Sequence, residues 1–247
     1  MTKENKEKYM QKSRPQHFFI LGICLFLGLV VLGYQLSTAA LKIKEYERTV
    51  IVKGLSEREV NADIVIWPIR FIAADNELAT LYKTMDANAA EITAFLTGNG
   101  IAKKEISSAA PVITDKLAQQ YDNKAVRFRY SGSRTITVYS KNVQTVRKLM
   151  TKLSKLGKKG IVFSGMDYDS RPEYIFTGLN RIKPAMIEEA TRKAREVALK
   201  FAADSQSKLG KIKRASQGRF SIRSRDRNTP YIKKIRIVST VEYYLSD

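Results

Sequence analysis

The sequence predicts an α+β (layered α/β) protein, in which mixed β-sheets pack with three main helices behind one N-terminal transmembrane helix. Three observations favour this class: a long apolar run near the N-terminus, apolar stripes at helical spacing, and β-branched segments with alternating apolar residues. The predicted order after the transmembrane helix is ββαββαβαββ. We expect residues 1–17 to be a cytoplasmic basic tail, 18–41 a transmembrane signal anchor and 42–247 one exported domain.

The apolar run Phe18–Leu36 contains no charged residue and follows a tail with five basic and two acidic residues. Nineteen residues of helix span about 28 Å, close to the ~30 Å hydrocarbon core of a bilayer. The basic tail predicts an N-terminus in the cytoplasm and a main domain outside it. A cleaved signal peptide ending near Ser37–Ala39 is the alternative, but its apolar core is usually only ~7–15 residues long.

The next stretch predicts a β-hairpin. Thr49–Lys53 is a short β-branched strand, Gly54 permits a turn through Leu55–Glu59, and Val60–Phe71 is the long return strand. The return strand is apolar on both faces, so we expect cover on both faces. Pro68 cannot donate a ladder hydrogen bond, which predicts a bulge or a sheet edge there.

The middle of the chain predicts two helices and a strand pair. The first helix is capped by Asp75 or Asn76 and carries an apolar stripe. This stripe comprises Leu78, Leu81, Tyr82, Met85, Ala89, Ile92 and Leu96. Strands Glu105–Thr114 and Ala125–Tyr139 are expected to pair, and a second helix follows over Asn142–Gly157.

The last third predicts a strand, the longest exported helix and two closing strands. The strand is Gly160–Tyr168, and the helix runs from Leu179 or Pro184 to Leu209, where Gly210 ends it. One face of this helix comprises Ile187, Ala190, Ala194, Val197, Phe201 and Ser205. The closing strands are Lys211–Ser224 and Tyr231–Leu245, joined by a turn at residues 226–230.

Charge is the strongest anomaly of the composition. The chain has 44 basic and 24 acidic residues, and Lys208–Arg236 alone contains eleven basic residues against Asp226. Alternation predicts one basic strand face, with the anion-binding candidates Arg219, Arg223, Arg225, Arg227, Lys233, Lys234 and Arg236. A solvated face that prevents edge pairing is the alternative. Nucleic acid is not an expected partner, because export removes the usual target and no recognition motif is present.

Few residues offer chemistry. Cys24 lies in the apolar run and His17 is the single histidine, which excludes disulfides, histidine triads and typical zinc sites from the exported domain. Asp167 and Asp169 flank a tyrosine on a strand, so they form a weak acid–base or cation-binding candidate against the commoner solvated strand end. Asp63 lies in an apolar strand and predicts a structural ion pair.

Several short motifs carry a family resemblance. The pattern V-x-G-x-x-x-x-x-V-x-A-D is formed by Val52, Gly54, Val60, Ala62 and Asp63. Further matches follow in order: Asn99-Gly100-Ile101, Tyr130-Ser131-Gly132, and an alanine-rich last helix before Lys208-Leu209-Gly210-Lys211. Together these motifs resemble the SIMPL domain (DUF541) family. The resemblance implies a bacterial protein, either exported to the periplasm or held by one N-terminal span, and at least one member forms a large ring-like oligomer. It also implies a loose link to oxidative or envelope stress, and no established catalytic residues.

These observations favour a non-enzymatic scaffold. We expect a single-pass protein of the bacterial inner membrane with a periplasmic main domain, homo-oligomeric, and with no catalytic residue, metal or cofactor. The alternative is an anion-binding module that binds acidic lipid, lipopolysaccharide or polymer through the basic strand face.

Overall fold

The structure is a computed structural model that describes residues 15–46, 48–118, 127–164 and 170–246. Its helices are α1 (Pro15–Tyr46), α2 (Leu78–Gly98), α3 (Val143–Met150), α4 (Ser154–Gly157) and α5 (Leu179–Asp204), with a 3₁₀ turn at Lys103–Glu105. Its strands are β1 (Thr49–Asn61), β2 (Ile64–Asp75), β3 (Ile106–Ser108), β4 (Val112–Asp115), β5 (Tyr130–Ser140), β6 (Val162–Phe163), β7 (Glu173–Ile175), β8 (Lys208–Gln217), β9 (Ser221–Ser224) and β10 (Ile232–Ser246). The predicted α+β class is confirmed.

Helix α1 contains the predicted apolar segment. Phe19–Ala40 is 22 residues long, with none of its apolar window buried. At 1.5 Å per residue it extends about 33 Å, enough to cross a hydrocarbon core. A membrane anchor and a signal sequence near an N-terminus share these properties. The structure therefore confirms the predicted apolar helix, which either of them would contain.

Two sheets organise the strands. In one sheet the order is β3–β5–β2–β6, with β4 also on β5 and β7 also on β2. In the other the order is β1–β10–β8, with β9 also on β10. Strands β3 and β4 both pair antiparallel with β5, which confirms the predicted pairing of Glu105–Thr114 with the following strand. Residues 125 and 126 of that predicted strand lie outside the described residues.

The predicted opening hairpin is wrong. Strand β1 continues without a break to Asn61, so Gly54 and Leu55–Glu59 lie inside a strand rather than in a turn. Moreover, β1 and β2 belong to different sheets. The chain turns instead at Ala62 and Asp63, whose N–H groups donate to the carbonyls of Tyr231 (2.8 Å) and Ile175 (2.9 Å). Partners distant in sequence therefore hold this turn.

Strand β2 has one buried face. Val65, Trp67, Ile69 and Phe71 are buried, whereas the alternate positions 66, 68 and 70 are half-buried, so the expected full cover of both faces is wrong. Pro68 lies opposite Thr137 in an unbroken register, without a bulge. On the other edge, β7 pairs with residues 64–66 and β6 with residues 71–72. Pro68 thus has a described neighbouring strand on one side only, which suits its missing N–H.

The chain divides into two compact units. The first comprises Met1–Leu55, Ala190–Gly218 and Ser239–Asp247, and the second comprises Ser56–Glu189 and Arg219–Val238. The core of the second unit contains the buried face of β2 and five residues of the stripe predicted for α2, Leu81, Met85, Ala89, Ile92 and Leu96. The other two stripe residues, Leu78 and Tyr82, are exposed. The core of the first unit comprises Val52, Ala194, Ala198, Val241 and Tyr243.

The helix boundaries differ from the predictions in detail. The N-cap of α2 is Glu77 rather than Asp75 or Asn76. Those two side chains accept other hydrogen bonds, from the N–H of Glu77 (2.9 Å) and of Arg129 (3.0 Å) respectively. The predicted second helix is divided into α3 and the single turn α4. Its start is confirmed, since the Asn142 side chain accepts from the N–H of Thr145 at 3.2 Å.

Helix α5 buries a narrower face than predicted. Within the first unit its buried residues are Ala190, Ala194, Ala198 and Ala202, while Val197 and Phe201 of the predicted face are exposed. The helix ends at Asp204 and is followed by Gln206 in the left-handed conformation (φ 55°), whereas Gly210, predicted to end the helix, lies in β8. The expected helix end at Leu209 is therefore wrong, because Lys208–Gln217 pairs with β10 as a strand.

Candidate anion-binding surface

The basic face predicted from alternation lies in the second unit, on β9 and the first half of β10. These strands are antiparallel, with Arg223 opposite Lys234 and Ser221 opposite Arg236. Directly opposed residues point to the same face of a sheet. Ile222 and Ile235, also opposed, belong to the other face, where Ile235 is fully buried. The buried isoleucine fixes which face the basic residues occupy.

These basic residues line a shallow groove. It has a volume of about 270 Å³ and is lined by Glu57, Ser221, Arg223, Ser224, Lys234 and Arg236. The Ser221 hydroxyl and three cationic groups are thus placed around one acidic side chain. Such an arrangement offers hydrogen-bond donors and positive charge to an anion.

Acidic residues from β1, which sequence reasoning did not include, neutralise part of this surface. Glu57 contacts Lys234 Nζ (2.8 Å) and Arg236 Nε (3.5 Å) through its two carboxylate oxygens. Glu59 contacts Arg225 Nη1 at 3.4 Å. Glu57 and Glu59 stand at alternate positions in the sequence, as acidic residues on one strand face would. Their basic partners can be identified only from the pairing of β1 with β10.

The remaining basic candidates separate into two groups. Arg219, Arg223 and Arg227 are exposed and form no ion pair within the part of the chain that the structure describes. Lys233 is half-buried, and its ammonium donates to Ser224 Oγ at 3.0 Å. Burial lowers the pKa of Lys233, an effect that the charge of Glu173 opposes. The groove therefore contains Arg223, Lys234 and Arg236 of the seven predicted residues.

The turn between β9 and β10 is held by Asp226. Its carboxylate accepts from Arg225 Nε (3.0 Å), from the N–H groups of Asn228 (2.8 Å) and Thr229 (2.7 Å), and from the Thr229 hydroxyl. These donors favour the charged form, so the pKa of Asp226 is well below its usual value, with the Thr229 hydroxyl as the largest cause. Arg225 therefore forms ion pairs with both Asp226 in the turn and Glu59 on β1.

We expect the Asp226 turn to loosen in acid. A carboxyl group with a depressed pKa in the folded state stabilises the fold above its ordinary value of about 4 and loses that contribution as the pH falls further. Amide exchange of Asn228 and Thr229, measured by NMR between about pH 5 and 2, should therefore accelerate beyond the intrinsic pH dependence of amide exchange. Asp226→Asn should remove the extra acceleration, and equal profiles for both proteins would contradict this assignment.

A second hollow lies beside the turn in the same unit. It has a volume of about 490 Å³ and is lined by Arg171, Pro172, Glu173, Tyr174, Ser224, Pro230 and Lys233. Tyr174 is buried, which raises its pKa, and its ring meets that of Tyr231 edge-on at 6.2 Å. The guanidinium of Arg147 lies 3.3 Å from the centre of the Tyr231 ring. These contacts pack the side chains that line the hollow, and they stabilise the start of β10.

The family-motif residues have structural roles. Val52 is buried, and Gly54 lies so close to α5 that an added Cβ would overlap the Ala190 carbonyl oxygen. Ala62 is buried at the β1–β2 turn. The carboxylate of Asp63 accepts from the N–H of Thr177 (2.9 and 3.0 Å) and from its hydroxyl (2.8 Å), so these bonds take the place of the predicted ion pair. Val60 is half-buried.

The structure does not describe the acidic pair that the sequence offered for chemistry. Asp167 and Asp169 lie outside the described residues, as does part of the predicted strand Gly160–Tyr168, of which Val162–Phe163 is observed as β6. Within the described ranges, no group of three or more histidine, cysteine or acidic residues is arranged to hold a metal ion.

Comparison with known proteins gives a family match over most of the chain. The family model SIMPL, described as a protein of unknown function (DUF541), matches residues 50–240. The uncharacterized protein YggE of Escherichia coli K12 is 26% identical over 163 residues, which cover 66% of this chain. YggE proteins of Escherichia coli O157:H7 and Shigella flexneri match to the same extent. The match spans 63% of the length of these relatives. Because the family match includes the opening motif, both sheets and α5, the chain belongs to the SIMPL (DUF541) family.

Proposed function

We propose that this chain is a non-enzymatic scaffold of the bacterial envelope, anchored in the inner membrane by α1 and assembled into a homo-oligomer on the periplasmic side. Family membership and the apolar helix support the tethered arrangement. A role in envelope or oxidative stress is part of the proposal. A hydrolytic or redox activity that is lost on changing one polar residue would overturn its non-enzymatic part.

The observation that carries the proposal is an exposed isoleucine on an edge strand. Strand β1 is the terminal strand of the order β1–β10–β8, so among the described strands it pairs on one side. Ile51 on this strand is 65% exposed, and Leu55 on the same face is 37% exposed. An edge strand with exposed large apolar side chains favours addition of a strand from another chain. A second copy is the partner that a homo-oligomer provides.

The tether lowers the cost of such assembly. The apolar segment of α1 ends at Ala40, the helix continues to Tyr46, and β1 begins at Thr49. Copies anchored through so short a connection would have the same orientation on one membrane. Confinement raises the effective concentration of one β1 edge around another, which favours association without any new contact.

Ile51→Glu is expected to dissociate the oligomer. A charge placed at an apolar contact must be desolvated without a partner, which costs several kcal/mol. Size-exclusion chromatography with light scattering, on the full chain in detergent, should show a protein mass near 28.0 kDa for the variant and a multiple of it for the parent.

The matched control is Val112→Glu, since Val112 is a β4 side chain with 67% exposure. This control should keep the parent mass, and circular dichroism should show that both variants remain folded. If Ile51→Glu and Val112→Glu have the same mass as the parent, β1 is not the assembly edge.

A second candidate function is an anion-binding module for acidic lipid, lipopolysaccharide or polymer. The groove lined by Arg223, Lys234 and Arg236 favours it, because one carboxylate leaves the three cations with an excess of positive charge. Arg225, which the sequence also assigned to this surface, contributes less, since it is paired with Glu59 and Asp226.

A further inference from the structure

We propose that the groove formed by β9, β10 and Glu57 binds a phosphate monoester group, one in each chain. The inference rests on the second candidate function and is independent of the oligomeric scaffold. Beyond that candidate, the ligand is a phosphate monoester, its site is the groove, and Glu57 competes with it for the cations.

Two like charges oppose each other across β9 and β10. Arg223 and Lys234 are direct cross-strand partners, and Cβ atoms of such partners lie about 5 Å apart. Like charges in this position destabilise a sheet, and an anion bound between them removes the repulsion. Arg236 faces Ser221 one step along the same face, so a third cation adjoins the pair.

The hydrogen-bond donors of the groove suit an oxyanion. Arg223 forms no ion pair within the described residues, so its planar guanidinium can offer two parallel N–H donors to a tetrahedral oxyanion. Ser221, the cross-strand partner of Arg236, places a hydroxyl group on the groove lining. The Ser224 hydroxyl is not available to a ligand, because it accepts from Lys233 (3.0 Å) and donates to the Pro230 carbonyl (3.4 Å).

The net charge of the groove matches that of a phosphate monoester. Three cations and Glu57 leave the groove with a formal charge of +2. A phosphate monoester carries about −1.5 to −2 near pH 7, whereas a carboxylate or a phosphodiester carries −1. The charge of the groove therefore favours the monoester over a carboxylate or a phosphodiester. The volume of about 270 Å³ leaves room for the first atoms of the esterified group.

Glu57 acts as an internal competitor in this scheme. Its carboxylate contacts Lys234 and Arg236 from within the groove. A phosphate group that engages these two cations must displace the carboxylate or share them with it. Removal of the Glu57 charge should therefore tighten binding, which is an effect that a purely structural ion pair would not produce.

Isothermal titration calorimetry tests the proposal by measuring the affinity of the full chain, in a zwitterionic detergent at constant low ionic strength, for glycerol 3-phosphate. Arg223→Gln should weaken binding about tenfold or more, as expected for loss of a charge-assisted hydrogen-bond pair. Glu57→Gln should tighten binding about threefold or more. Arg227→Gln is the matched control, because Arg227 is exposed and does not line the groove, and it should change the affinity less than twofold.

The outcomes separate the groove from a diffuse surface. Equal weakening by Arg223→Gln and Arg227→Gln, with no gain from Glu57→Gln, would overturn the groove and leave the second candidate function standing. Absence of any binding, for glycerol 3-phosphate and for vesicles containing phosphatidate, would overturn both. Thermal unfolding of each variant shows whether a lost affinity reflects lost structure.

The same titration distinguishes a lipid headgroup from a soluble phosphate. The full chain is placed in nanodiscs of phosphatidylcholine alone or with phosphatidate. If phosphatidate prevents glycerol 3-phosphate from binding, the monoester of a membrane lipid occupies the groove. If binding is unchanged, the ligand is a soluble phosphate monoester, and both results agree with the assigned chemistry.

Discussion

Replacement of Gly54 by alanine is expected to unfold the first unit. An added Cβ would overlap the carbonyl oxygen of Ala190 and lie 2.5 Å from the nitrogen of Ala194. Both atoms are backbone atoms of α5, so no side chain can rotate away. One extra methyl group in a packed core usually costs ~1–3 kcal/mol, and here the strand and helix must separate, so we expect a loss above about 4 kcal/mol.

Urea denaturation followed by circular dichroism measures this loss, with two glycine controls. Gly98→Ala introduces a Cβ with nothing within 4 Å and should be neutral or stabilising by up to about 1 kcal/mol. Gly132→Ala should fall between the two, because its Cβ meets the Met85 and Ile113 side chains, which can move. A Gly54→Ala protein as stable as Gly98→Ala would contradict the close approach of β1 and α5.

Phe71→Ala is expected to cost the second unit about 3–5 kcal/mol of unfolding free energy. Phe71 is fully buried on the core face of β2. Its removal leaves a cavity that strand pairs on both edges of β2 hold open, since Phe71 is in register with Arg134 and Phe163. Little collapse is available to reduce that cost.

The neighbouring residue provides the control for this cavity. Ile72 is 39% exposed and points to the other face of β2, so Ile72→Ala should cost less than about 1.5 kcal/mol. The fluorescence of Trp67, the single tryptophan and a buried residue of the same face as Phe71, reports the transition in urea. Equal losses for the two variants would contradict the assignment of the core face.

Local patterns predicted the elements whose cause is local. The stripe from Leu81 to Leu96 requires only helical periodicity, and the start of α3 at Asn142 requires only a side-chain cap. Gly54 shows where such patterns fail. Glycine is required either where a backbone turns or where another backbone approaches closely, and both uses leave the same residue in the sequence. The contact with α5, more than 130 residues away, decides between them.

The candidate site was also predictable only where its cause is local. Alternation in the closing strands predicted the shared face of Arg223 and Arg236. The neutralising residues Glu57 and Glu59 precede their partners by more than 160 residues, and only the order β1–β10–β8 brings them to that face. The surface that the sequence predicts as uniformly basic is therefore a groove lined by one carboxylate as well as by cations. Among the described residues, the guanidinium of Arg223 in this groove forms no ion pair.

The native mass of the full chain in detergent, measured by light scattering at low and at high salt, tests the tethered scaffold most directly. Apolar contacts between β1 edges do not weaken with ionic strength, whereas contacts between exposed charges do. We predict a mass of several chains, each of 28.0 kDa, that is the same in both conditions. A mass of one chain in both conditions, or an assembly that dissociates at high salt, would contradict assembly through Ile51 and its strand.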